Sequence, residues 1–186
     1  SNGDFSMSTL IATTVQSGTI KGADGTNTAL TISNDGTILP QKVPTCLIYA
    51  SGNINSGLAQ ATWTGINFDT EEFDTHSMGD VGNNRINFTT ATAGVYMCIG
   101  AFRVATSGSL ARFILRLQKN STNFCQGEYA NVENGNNKYP IVHCMGIQTF
   151  GNADTLSMSY YLDKSTTTNG DDGIASCQIA CYRISA

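Results

Sequence analysis

Apolar positions in this chain alternate or run together over short stretches and do not recur at helical spacing, so the pattern predicts strands. Residues 46–51, 63–68, 85–88, 94–104, 110–118, 141–150, 155–162 and 174–184 form such stretches, separated by Gly, Asn, Ser and Asp turns. The 94–104 stretch is apolar on both sides. Val95, Met97, Ile99 and Ala101 share one face, and Tyr96, Cys98, Gly100 and Phe102 share the other. One sandwich interior needs a single apolar face, so the second predicts a covering neighbour. Residues 110–118 alternate more cleanly, with Ala111, Phe113, Leu115 and Leu117 opposing Arg112, Ile114, Arg116 and Gln118, as in a half-exposed strand. In 63–68, Trp63, Ile66 and Phe68 keep no single alternation, which predicts a bulge at Gly65.

The first 45 residues read differently. Short β-prone pieces at 11–16, 18–21, 29–33 and 37–39 are cut by turns at Asp24-Gly25 and Asn34-Asp35-Gly36. Such pieces close no core of their own, so 1–45 is expected to be an attachment segment and 46–186 a head. The segment 124–139 is rich in Asn and Tyr. It reads first as an ordinary surface loop, with a receptor-binding loop carrying Tyr129, Asn131, Asn134 and Tyr139 as the alternative. The whole predicts an all-β, antiparallel sandwich or jelly roll.

Composition agrees. Thr 23, Ser 16, Asn 17 and Gly 19 of 186 residues, with only 13% charged, favour pleated strands and turns and exclude an all-helical fold. The formal net charge is −4 and the ten Lys and Arg are scattered, so nucleic-acid binding has no basic footprint. No apolar run approaches the ~18 residues of a membrane helix, and no basic stretch leads into an apolar one. A soluble chain without membrane insertion or export signal is expected.

The chemistry of catalysis is thinly represented, and no enzyme is expected. His76 and His143 are the only histidines; His143 neighbours Cys144, but adjacent strand residues point to opposite faces and form no dyad. Nucleophile elbows, zinc helices, phosphate loops and dinucleotide fingerprints are absent. The six cysteines contain no Cys-x-x-Cys pair and are expected to be mostly reduced, small buried residues. Asp69, Glu71, Glu72, Asp74 and Asp80, and the run 169–173, are dense in oxygen ligands but lack calcium-loop spacing. Neither a metal nor a cofactor is expected.

The order of motifs resembles a known family. Trp63-Thr64-Gly65-Ile66-Asn67-Phe68-Asp69-Thr70-Glu71-Glu72-Phe73-Asp74, then Asn83-Asn84-Arg85-Ile86-Asn87-Phe88, Ala93-Gly94-Val95-Tyr96 and Leu117-Gln118-Lys119-Asn120, followed by Asp154-Thr155-Leu156-Ser157-Met158-Ser159-Tyr160, resemble the jelly-roll heads of the complement C1q and tumour necrosis factor superfamily. The resemblance covers about residues 45–186 and implies a homotrimer about a threefold axis. Tyr96, Phe102, Tyr160 and Tyr182 are the seam candidates; the alternative is that they fill the second layer of a solitary sandwich. The stretches Met7-Ser8-Thr9-Leu10-Ile11-Ala12-Thr13-Thr14-Val15-Gln16-Ser17-Gly18 and Thr28-Ala29-Leu30-Thr31-Ile32-Ser33-Asn34-Asp35-Gly36-Thr37 are similar to leaders on such heads in tailed bacteriophages. That similarity implies a virion protein assembled in the host cytoplasm, whose residues 1–45 hold it to capsid or tail proteins. Capsid decoration, a fibre component, or a tail-fibre adhesin for a host-surface glycan or protein are the roles it suggests.

Overall fold

The computed structural model describes residues 19–21, 28–32, 38–40, 43–52, 55–106, 110–132, 139–163, 168–171 and 176–185. The chain divides into two compact units, residues 1–42 and 43–186. The division falls three residues earlier than the sequence pattern places it. Val43 and Pro44 already belong to the larger unit, where the Thr75 hydroxyl donates to the Val43 carbonyl (3.0 Å) and the Arg183 amide to that of Pro44 (3.0 Å).

In the smaller unit β1 (Thr19–Lys21), β2 (Thr28–Ile32) and β3 (Ile38–Pro40) form an antiparallel sheet in that order. Its register sets Thr19 opposite Thr31 and Leu30 opposite Pro40. The expected piece 11–16 lies outside the described residues.

The larger unit is a jelly-roll sandwich of antiparallel strands: β4 (Thr45–Tyr49), β5 (Thr64–Gly65), β6 (Thr70–Asp74), β7 (Gly79–Asp80), β8 (Arg85–Asn87), β9 (Gly94–Thr106), β10 (Leu110–Lys119), β11 (Thr122–Val132), β12 (Ile141–Phe150), β13 (Thr155–Asp163), β14 (Thr168–Asp171) and β15 (Cys177–Ser185). Sheet I runs β12-β9-β15-β4-β6 with β14 beside β9; sheet II runs β11-β10-β13-β8-β7 with β5 beside β13. The structure departs from the sequence pattern in three places. Most of 124–139 is not loop, because Thr122–Val132 pairs with β10 along its length. Of 63–68 only Thr64–Gly65 pairs, against Tyr160 and Ser159. The polar stretch after Asp163 contains β14, paired with β9.

Between the sheets lies an aromatic core. Phe88 stacks on Phe150 with centroids 4.0 Å apart, and Tyr96 meets Phe88 edge-on at 4.8 Å. Phe102 contacts Phe113 at 5.9 Å and Tyr160 at 5.5 Å. Small side chains make room for these rings. Cys46, Cys181 and Cys98 sit side by side across β4, β15 and β9, and Gly100 lies beneath Met158 and Leu117. All six cysteines are free and only Cys125 is partly exposed. Burial pushes the Cys98 and Cys144 thiols up to about 12 and raises those of Cys46 and Cys181 as well, so they pack as neutral apolar groups.

Two turns of the resemblance have physical causes. Gly94 opens β9 at φ +150°, where an added Cβ would run into the Ser185 carbonyl oxygen and lie 2.8 Å from Cδ of Arg183. Gly94→Ala is therefore expected to cost about 1–3 kcal/mol, read as a lower urea midpoint with unchanged slope. The β10–β11 hairpin turns through Asn120 (φ 48°) and Ser121 (φ 67°), the two left-handed positions of a tight two-residue connection. Asp154 braces it, accepting from Lys119 Nζ (2.8 Å), the Gly151 amide (2.6 Å) and Asn120 Nδ2 (2.5 Å). Those bonds, Lys119's foremost, hold the Asp154 carboxyl down at about 2. A depressed folded-state pKa contributes stability above the ordinary value near 4, and that contribution is lost as pH falls through about 2. Asp154→Asn should thus melt below the unaltered protein at pH 5, and the gap should close on acidification to pH 2.

Candidate self-association face

The face of sheet I turned away from the core is where this fold shows unpartnered apolar surface. Register builds it. Met145 of β12 lies opposite Ile99 of β9, Ile99 opposite Ala180 of β15, Ala180 opposite Leu47 of β4, and Leu47 opposite Phe73 of β6. One step along, Ile147 faces Met97, Met97 faces Tyr182, and Tyr182 faces Thr45. Two neighbouring cross-strand rows of mainly apolar side chains therefore span the sheet. Met145 and Ile147 are 65% and 66% exposed, and Phe73, Tyr182 and Ile184 about half. Between Phe73, Met97, Ile99 and Tyr182 the face dips into an apolar groove of about 90 Å³. Water against so large an apolar area is unfavourable, and monomers seldom leave such a patch uncovered.

The four seam candidates are divided between the outer face of sheet I and the interior of the sandwich. Tyr182 is on the outer face. Tyr96, Phe102 and Tyr160 are not seam residues: at 0%, 0% and 2% exposure they are spent inside a single chain and have no surface left to offer a neighbour. Of the two apolar faces of β9, the one with the larger rings fills the interior, and Met97 and Ile99 look outward. Tyr160 is fixed there by its hydroxyl, which accepts from the Ala59 amide at 3.0 Å.

Tyr129 lies on β11 opposite Phe113 and is 43% exposed; Tyr139 is 57% exposed, with the Arg103 guanidinium 6.0 Å from its ring centre. Asn131 is a backbone position of β11, and Asn134 lies outside the described residues. His143 is exposed and Cys144 buried, on opposite faces of β12. The acidic residues are held individually. Asp69 accepts from the Ser51 amide (2.7 Å) and hydroxyl (2.9 Å), while bonds from Asn87, Asn83 and Arg85 hold the Asp80 carboxyl below the usual range. Among the described residues no three His, Cys, Asp or Glu side chains converge on a point where a metal would sit.

The two antiparallel sheets form a jelly-roll sandwich whose fold is like that of complement C1q and tumour necrosis factor-like heads. The globular domain of zebrafish complement 1qA is similar to it at 12% identity and a TM-score of 0.54, over 77% of this chain and 98% of that one. Murine APRIL at pH 8.0 is similar at 5% identity and a TM-score of 0.59, over 77% and 100%, and at pH 5.0 at 7% and 0.55. No protein-family model and no curated protein matches the chain.

Proposed function

We propose that this protein is a non-enzymatic structural component of a bacteriophage virion, a homotrimer whose heads associate through the outer face of sheet I and whose residues 1–42 attach it to capsid or tail proteins. The observation that carries the self-association is the apolar pair of rows from Met145 and Ile147 across to Phe73 and Tyr182. Packing three copies about an axis hides that face from water without leaving a free apolar edge. Support for the virion setting comes from the likeness of residues 7–18 and 28–37 to bacteriophage leaders. Its role is adhesion between subunits and to the particle. Electron microscopy of the source particle with this chain labelled tests it: density on the capsid shell or along a fibre is expected, and absence of the chain from particles would overturn it.

A second reading, a tail-fibre adhesin, is favoured by the exposed Tyr129 and Tyr139. It expects particles lacking the chain to lose adsorption, whereas a decoration protein expects them to adsorb normally and lose stability.

A further inference from the structure

On the opposite side of the sandwich, the outer face of sheet II carries a polar groove of about 320 Å³, within the roughly 300–1,000 Å³ of small-ligand sites. Its floor is set by register: Arg116 lies opposite Ser159 and Gln118 opposite Ser157. Its walls are the Trp63–Asn67 segment and the turn at Asn83 and Asn84. Both walls are held in place. The Asn55 side chain accepts from the Asn67 amide (3.0 Å) and donates to the Asn67 carbonyl (3.1 Å), and Asn84 Oδ1 accepts from the Phe68 amide (2.7 Å).

Arg116 is the centre of this groove. Its guanidinium carbon lies 3.6 Å from the centre of the Trp63 ring, which in turn meets Tyr161 at 5.5 Å, and its Nε donates to Ser159 Oγ at 2.8 Å. Stacking and that one bond fix the plane of the fork and leave the Nη1 and Nη2 donors for an incoming group. Among the described residues no carboxylate lies within 4.0 Å of it, whereas Arg85, Arg112 and Lys119 each have one. Around the cation stand amides and hydroxyls. Gln118 Nε2 donates to the Ser121 carbonyl, leaving Oε1 to accept; Asn67 Oδ1 accepts from Asn84, leaving Nδ2 to donate; Ser157 lines the floor.

We propose that this groove binds an acidic sugar residue of the uronic-acid type, with the Arg116 fork taking the carboxylate and the surrounding amides and hydroxyls taking the ring hydroxyls. A single fixed guanidinium matches a monovalent planar carboxylate. Closely spaced mixed donors and acceptors match a polyhydroxylated ring. A polypeptide adding as a strand is disfavoured at this spot, because β10 and β13 are hydrogen-bonded on both sides and the floor has no free edge. The groove lies on the head's own surface, so its chemistry does not depend on where on a particle, or in what assembly, the head sits.

Trp63 is the sole tryptophan, so its fluorescence reports the groove directly. Titrating the full chain with tetragalacturonate should give a saturable change in that emission, and the methyl-esterified tetramer should bind at least tenfold more weakly. Arg116→Lys, which keeps the charge but loses the fork and the stack, should also weaken the acid oligomer tenfold or more, with unchanged melting as the check on folding. No saturable change, equal binding of acid and ester, or binding of a tetraglutamate peptide in place of the sugar would each overturn the proposal. The acid-against-ester comparison needs no variant, so it decides the matter even if Arg116→Lys folds poorly.

Discussion

For the trimer proposed above, Met97→Glu combined with Ile147→Glu is expected to leave single chains that remain folded. The two residues are cross-strand partners on the outer face of sheet I, and Ile147 is 66% exposed within one chain. A carboxylate at Ile147 therefore stays hydrated in the separate subunit. In the assembly two effects add. Each lost apolar side chain forfeits about 1.5–3 kcal/mol of burial, and each unpaired carboxylate carried into an apolar seam costs several kcal/mol more. Since every ~1.4 kcal/mol is tenfold, association should weaken by a factor of at least about 10³. Sedimentation velocity reads the loss of mass, and circular dichroism reads the retained strands. The same charge at Asn152, an exposed turn residue, should leave the mass unchanged. Persistence of the assembly in the double variant would place the seam elsewhere.

Phe150→Ala is expected to have the largest effect on the fold itself. Phe150 is 1% exposed, stacked on Phe88 and met edge-on by Tyr96 and Phe124 at 6.0 and 6.2 Å. Truncating so enclosed a ring removes its transfer free energy and leaves a cavity that the neighbouring strands do not close. The cost is about 3–5 kcal/mol, a large share of the ~5–15 kcal/mol that holds a domain together. A fall in the urea midpoint at constant slope measures it. Phe102→Ala should behave the same way, because Phe102 belongs to the interior and not to the outer face of sheet I. Tyr182→Ser, on that outer face, should instead weaken the proposed trimer and leave the fold in place.

The strands with doubled or clean alternation were legible in the sequence, and with them the sandwich. Residues 94–104 showed two apolar faces, and the excess surface this implies is present in the structure. Which face turns outward was not legible, since Tyr96 and Phe102 on one side and Met97 and Ile99 on the other are equally apolar as a pattern. The decision lies in volume: Cys98 and Gly100 alternate with the two rings along β9, and Cys181 and Cys46 continue the row of small side chains beside Cys98, so the interior has room for the rings. β11 was not legible because Asn123, Gln126 and Glu128 interrupt its apolar positions, as suits an edge strand whose pairing comes from the β10 hairpin. The groove around Arg116 was invisible for another reason. Its residues come from four separate stretches of chain that only the β10–β13 register and the Asn55 and Asn84 bridges bring together.

Sedimentation equilibrium of the unaltered protein at micromolar concentration tests the central claim most directly. A trimer sealed at sheet I should sediment as a discrete species of three 19.8 kDa chains. A stable, well-behaved species of one chain, its sheet I face open to water, would contradict it.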